Sequence, residues 1–245
     1  MKTALITGAN KGIGFETAKQ LLKNGYYVFI GSRNIENGRS AAEQLRNEGW
    51  GQLEAVQLDV TDEASITEAR SSIEGKTAVL DVLINNAGIN GGFPQAALEA
   101  DAAAFHRVMD TNLYGVVRVT QAFMGLLEKS PQPRIVNVSS SGCSLTLQSD
   151  PGWKYYSHKA AVYPASKAAM NMYTINLAYE LQDTPFKVNA VCPGFVATDF
   201  NGHRGTGTAE EGGIRIAKYA MIGEDGPTGK FISEEHNPET GETPW

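Results

Sequence analysis

The sequence predicts an α/β fold in which a doubly wound, mostly parallel sheet of seven strands carries helices on both faces. Short apolar runs alternate with longer amphipathic ones along the whole chain, the order expected when strand–helix–strand units build a parallel sheet. A glycine-rich turn follows the first apolar run directly. No repeat, low-complexity stretch or linker breaks the alternation, and 245 residues at 42% hydrophobic content suffice for one core. A single domain over residues 1–245 is therefore expected.

The strands are expected at Thr3–Thr7, Tyr27–Gly31, Leu53–Asp59, Val82–Asn86, Arg134–Ser139, Lys187–Cys192 and Lys230–Ser233, where short β-branched and apolar runs end in turn residues. Between the fifth and sixth, Met170, Tyr173, Leu177 and Leu181 recur at helical spacing and predict one apolar stripe. Thr208 with Glu211 three positions later reads as a capping box opening a late helix. The glycine-rich stretch 202–207 before it reads as a mobile loop, placed to act as a substrate lid.

Composition narrows the function classes. A net charge of -6 and a pI near 5.3 argue against a phosphate-tracking surface, so no nucleic-acid partner is expected. No apolar run approaches membrane-spanning length, and the N-terminus lacks a signal-peptide pattern, so neither membrane insertion nor secretion is expected. Cys143 and Cys192 are too few for a disulfide framework, which suits a reducing, cytoplasmic setting. His106, His158, His203 and His236 are scattered without ligand spacing, and no metal is expected. Asn137-Val138-Ser139 fits a glycosylation pattern but falls in an expected central strand, where chance explains it better.

The first turn, Thr7-Gly8-Ala9-Asn10-Lys11-Gly12-Ile13-Gly14, leads from a strand into a helix. Its glycines let backbone approach a pyrophosphate that the helix N-terminus would face. Glycines also end strands for structural reasons alone, so the turn needs its context. With Asp59-Val60, Asn85-Asn86-Ala87-Gly88, Asn112, Val138-Ser139-Ser140, Tyr163-x-x-x-Lys167 and Pro193-Gly194 in this order, the chain resembles the short-chain dehydrogenase/reductase family almost end to end.

That resemblance implies a Rossmann fold binding a nicotinamide dinucleotide. Gly8, Asn10, Lys11, Gly12, Ile13 and Gly14 would hold the phosphates, Asp59 and Val60 would flank the adenine, and Asn86, Ala87 and Gly88 would line the cofactor wall. Pro193 and Gly194, with Val196 and Thr198 toward the carboxamide, would complete it. An acidic residue after the second strand would favour a free ribose 2′-hydroxyl and repel a 2′-phosphate. This chain has Gly31-Ser32-Arg33-Asn34 there. Arg33 offers a planar fork of donors and Lys11 a second cation, which points to NADP(H).

Tyr163 and Lys167, four apart, share one helix face about a turn apart. A neighbouring ammonium would pull the phenol pKa down from about 10 toward the working pH. The family implies that Tyr163 protonates the nascent alkoxide, that Lys167 also holds the ribose, that Ser140 meets the carbonyl oxygen, and that Asn112 holds a water. Tyr155-Tyr156-Ser157-His158-Lys159 satisfies the same spacing, but Tyr163-Pro164-Ala165-Ser166-Lys167 matches the family segment better and leads into the striped helix. Choosing Tyr163 leaves 140–162 as an insertion of about ten residues. Among Ser139, Ser140 and Ser141 the Asn-Val-Ser-Ser match selects Ser140; without Tyr163 and Lys167 a polar strand end would explain all three. Cys143 reads as a small packing residue.

Leu145, Leu147, Trp153, Tyr155 and Tyr156 of the insertion, with Phe93, Phe195 and a substrate loop over 195–213, suggest an apolar pocket. Together with Arg33, Lys11 and the ending Gly226 to Trp245, this resembles the carbonyl reductase branch. An NADPH-dependent reductase of apolar or aromatic ketones and aldehydes is expected. The alternatives are an alcohol dehydrogenase running mainly in the oxidative direction or a catalytically silent NADP-sensing protein. Monomer and homo-oligomer both remain open.

Overall fold

The computed structural model describes all 245 residues. Strands β1 (Thr3–Ile6), β2 (Tyr27–Ser32), β3 (Leu53–Gln57), β4 (Val82–Asn85), β5 (Arg134–Val138), β6 (Lys187–Val191) and β7 (Phe231–Ile232) form one sheet in the order β3-β2-β1-β4-β5-β6-β7. Every pairing is parallel. The expected strands are all present, and the sheet is wholly rather than mostly parallel. The seventh is shorter than its apolar run because the N–H of Ser233 turns to the carbonyl of Gly241 at 2.7 Å, where Glu242 bridges back to Ile232 in the antiparallel sense.

Strand alternation sends successive side chains to two cores. Ala4, Ile6, Val28 and Ile30 pack under α1 (Gly12–Lys23), α2 (Ile35–Asn47) and α8 (Ala209–Ala220). Leu5, Phe29, Leu83 and Ile135 face α3 (Glu63–Glu74), α5 (Gly115–Leu127) and α7 (Val162–Glu180). Met170 and Leu177 of the expected stripe are buried, with Tyr173 and Leu181 partly so. The Thr208–Glu211 capping box is present at the start of α8. No helix is long and apolar enough to cross a membrane.

Helix α4 (Ala102–Met109) passes through one wide π-turn, Asp110–Tyr114, into α5. Between Ser140 and α7 the chain makes a 3₁₀ turn at Ser141–Cys143, the short helix α6 (Leu145–Ser149) and a run of turns. Because β2 and β3 lie on one side of β1 while β4 lies on the other, connections leave in opposite directions between β1 and β4. A crevice must open there at the carboxyl ends of the strands.

Phe123 is completely enclosed among these side chains. Phe123→Ala is expected to cost about 3–5 kcal/mol, read as a lowered urea midpoint.

Candidate active site

The crevice holds a cavity of about 630 Å³. At one end lie the glycine turn, Arg33, Asp59 and Val60; at the other lie Val138, Tyr163, Lys167 and Phe200.

The turn is shaped by close backbone approach. Gly8 has φ +62°, and a Cβ there would stand 3.0 Å from the Cα of Ala87; at Gly14 it would stand 2.5 Å from the amide nitrogen of Asn86. Asn86, expected on the cofactor wall, lines the cavity and also braces the turn: its amide donates to the carbonyls of Thr7 (2.9 Å) and Gly8 (3.0 Å). The Thr7 hydroxyl accepts from the N–H groups of Asn86 and Ala87 at 3.0 and 2.9 Å. Sequence reasoning passed over Thr7, although it directly precedes the first glycine. Lys11 occupies the N-cap of α1 without a side-chain cap, and no acid sits in the first turn. The first N–H groups of α1 are thus left for an anion.

The two expected phosphate cations differ. Arg33 is exposed on the wall with no carboxylate partner. The Lys11 ammonium crosses the mouth of the cavity to Asp199 at 2.9 Å, and the other carboxylate oxygen meets Nε2 of His203 at 2.9 Å. Lys11 and His203 hold the Asp199 carboxyl below its ordinary pKa. Asp199 was not foreseen, because its partner stands at the far end of the sequence.

Asp59 lines the cavity and caps its own turn, accepting from the N–H (3.0 Å) and hydroxyl (2.7 Å) of Thr61. Asn10, Gly12, Ile13, Ala87, Gly88, Pro193 and Thr198 also stand on the wall. Gly194 and Val196 do not. Val196 bridges to Gly207 and buries its side chain, and Gly194 points its N–H at the Cys192 sulfur, so Ala197 lines the cavity between Pro193 and Thr198.

Helix α7 delivers Tyr163 and Lys167 on one face, and Asn171 follows one turn on. Lys167 is buried, its ammonium donates to the Val138 carbonyl at 2.7 Å, and burial lowers its pKa to about 8. The expected downward pull on the Tyr163 phenol is absent. Burial pushes it well above 10, Cys143 and Cys192 add to the rise, and only a hydrogen bond with Ser140 opposes it. The physical reason is that the ammonium is turned toward Val138, and desolvation outweighs what remains. The Phe200 ring stands edge-on to Tyr163 at 5.3 Å, with its carbonyl held by the Asn90 amide at 2.6 Å.

The three serines separate by their partners. The Ser139 hydroxyl donates to Oδ1 of Asn171 at 2.7 Å, and Ser141 is buried. The Ser140 hydroxyl accepts the N–H of Gly142 at 3.2 Å, opening the 3₁₀ turn, and is the one of the three that bears on the Tyr163 phenol, while Ser139 rather than Ser140 stands on the cavity wall. Asn112 lies buried on the π-turn, whose widened geometry recurs at functional sites. Its two amide protons go to the Ile89 carbonyl (2.9 Å) and Ser166 hydroxyl (3.0 Å), and its oxygen accepts from the Ile89 N–H (2.9 Å). The side chain therefore ties the segment after β4 to α7.

The rival pair is engaged elsewhere. The Tyr155 hydroxyl donates to Glu235 at 2.6 Å, while Lys159 donates to the carbonyl and side chain of Gln148 at 2.6 and 2.9 Å. No helix runs through both residues, and Tyr155 faces a separate cavity of about 290 Å³.

Residues 2–208 match the family model described as short chain dehydrogenase. The chain is 31% identical to (+)-neomenthol dehydrogenase of Capsicum annuum and 35% identical to short-chain dehydrogenase anuI of Penicillium roqueforti, covering 94% of each protein and 94% and 95% of this chain. The alignment with the pepper protein spans 301 residues, more than this chain contains, so that relative carries segments absent here; the fungal one spans 239. The fold superposes on NADPH-bound carbonyl reductase from chicken fatty liver with TM-score 0.84 at 26% identity, over 100% of this chain and 99% of that one. Salutaridine reductase from Papaver somniferum gives 0.82 at 32% identity, over 94% and 99%. With the crevice at the strand ends and the glycine turn beneath it, these matches establish that the chain belongs to the short-chain dehydrogenase/reductase family of oxidoreductases.

Proposed function

We propose that the chain is a single-domain, NADPH-dependent carbonyl reductase of apolar or aromatic ketones and aldehydes, with Tyr163 as proton donor. The observation that carries this reading is one continuous cavity with a glycine cradle and an unpartnered Arg33 at one end and Tyr163 with Lys167 at the other. The cradle fits a dinucleotide: the N–H groups opening α1 carry no cap, and Gly8, Gly12 and Gly14 leave bare backbone on the cavity wall. Arg33 fits a 2′-phosphate, which an acid in its place would repel. The buried cysteines suit a reducing cytoplasm.

A reduced nicotinamide bound there supplies the hydride. The protein's part is protonic and positional. Ser140 orients the substrate oxygen beside the phenol, Tyr163 gives that oxygen its proton, and the Lys167 ammonium, one turn on and held by the Val138 carbonyl, is placed to hold the ribose of the bound nucleotide. Burial holds the phenol neutral, the protonation state from which a carbonyl oxygen can be protonated. Phe200 and Ile89 give the reacting end an apolar wall, suited to ketones with hydrocarbon substituents; the aromatic and aliphatic residues expected there from the insertion do not line it, and Leu147, Trp153 and Tyr155 line the separate cavity instead.

Assayed by loss of NADPH absorbance with acetophenone, benzaldehyde and ethyl acetoacetate, Tyr163→Phe is expected to lower turnover at least about 100-fold, while Tyr155→Phe retains it. Loss confined to Tyr155→Phe would move the site to the rival pair.

Arg33→Ala is expected to weaken NADPH binding about tenfold and leave NADH unchanged, as befits one charge-assisted contact. Asp199→Asn, by freeing Lys11, should tighten NADPH about threefold, the modest effect of releasing an exposed ion pair. Nucleotide fluorescence titrations check both.

Because Lys167 is an ammonium below its pKa of about 8 and neutral above it, kcat/KM for reduction is expected to be highest below that value and to fall as pH rises through it. A profile flat to pH 10 would exclude Lys167 as the titrating group.

A further inference from the structure

The peptide joining Ser140 to Ser141 meets sulfur at both polar ends, its carbonyl accepting in addition the backbone N–H of Cys143 at 3.0 Å. The Cys143 thiol donates to the Ser140 carbonyl at 2.8 Å, and the N–H of Ser141 donates to the Cys192 sulfur at 3.2 Å. Both cysteines are buried and unoxidised. The carbonyl and N–H of a trans peptide point in opposite directions, so the two sulfurs grip the plane from opposite sides instead of facing one another as a disulfide pair.

The protons around Cys143 can be placed. Its S–H goes to Ser140, its sulfur accepts from the Asn171 amide at 3.3 Å, and the Asn171 oxygen accepts from the Ser139 hydroxyl at 2.7 Å. Burial pushes the Cys143 thiol up to about 11, so it keeps its proton at neutral pH. Asn171 shares the α7 face of Tyr163 and Lys167, which links the thiol to the helix that carries them. On the other side, Ser141 opens the 3₁₀ turn and so has no partner within it. Cys192 satisfies that N–H and also accepts from Gly194 at 3.4 Å.

We propose that Cys143 and Cys192 are positioning residues that fix the Ser140–Ser141 peptide plane and thereby aim the Ser140 hydroxyl at Tyr163. The inference rests on the role given to Ser140 above. A packing role for the cysteines makes the opposite forecast about substitutions. Valine fills the space of a cysteine without a donor, whereas serine keeps the polar contact and fills less space.

The test is single-turnover reduction with NADPH and the fastest substrate of the panel, alongside NADPH affinity by fluorescence and a urea midpoint for each variant. Cys143→Val is expected to slow reduction about tenfold, the order of loss that misplacing a reacting group produces, with NADPH affinity unchanged. Cys143→Ser should recover most of the rate. Wild-type rates in Cys143→Val with a loss in Cys143→Ser would overturn the proposal in favour of packing. If Cys143→Val does not fold, Cys192 decides: Cys192→Ser faster than Cys192→Ala supports the clamp, and the reverse order overturns it. Ser140→Ala is measured in parallel. An unimpaired Ser140→Ala overturns the role of Ser140 and the clamp together, whereas an impaired Ser140→Ala with indifferent cysteine variants overturns the clamp alone.

Discussion

The geometry of the site depends on the buried ammonium of Lys167, which has one strong acceptor, the Val138 carbonyl at 2.7 Å. A buried cation without a partner costs far more than a side chain gains by packing. The contact therefore fixes the height and rotation of α7 against the end of β5. Tyr163 one turn before Lys167 and Asn171 one turn after it take their places from the same constraint. The segment after β4 must also come close: a Cβ on Gly88 would stand 3.7 Å from the ammonium and 3.3 Å from the Asn112 oxygen.

Topology converts this local anchor into a two-ended site. Because the chain reverses its direction of travel between β1 and β4, the turn after β1 and the segment after β4 face one crevice. Thr7 and Asn86 join its two banks, the side chain of each bonding the backbone of the other. The protein is acidic overall, yet cations stand at the outer rim of this crevice. Arg33 is free and Lys11 is shared with Asp199, so an anion entering there meets one ready partner and one that must be won from a carboxylate.

Much of this was legible in the sequence, and the exceptions have physical causes. Strands β1 to β6 were placed to within two residues, because parallel strands buried on both faces leave short apolar runs with clear turn ends. Tyr163 could be preferred to Tyr155 because only its segment leads into an amphipathic helix. The sequence could not reveal Asp199 against Lys11, or Cys192 against the Ser141 N–H, since these contacts exist only once distant loops meet at the ends of the strands. Val196 was placed on the cofactor wall by resemblance, but its side chain is spent on packing beside Gly207 and Gly212. The direction of the Tyr163 shift failed for a different reason. Spacing reveals a neighbouring charge, but not how dry the phenol is or which way the ammonium turns.

That dryness acts on several groups at once. It raises the phenol, lowers the Lys167 ammonium and keeps the Cys143 thiol protonated. Each change favours the uncharged form, as desolvation requires. In the proposed reaction the phenol begins with its proton in place, and Lys167, one turn on, is still able to be an ammonium at neutral pH. The Cys143 thiol serves the same economy of charge: it holds the Ser140 carbonyl through its S–H without bringing an ionised group next to the proton donor at neutral pH. An arginine or carboxylate in its place would hold the peptide more firmly, but it would set the phenol's ionisation by its own charge.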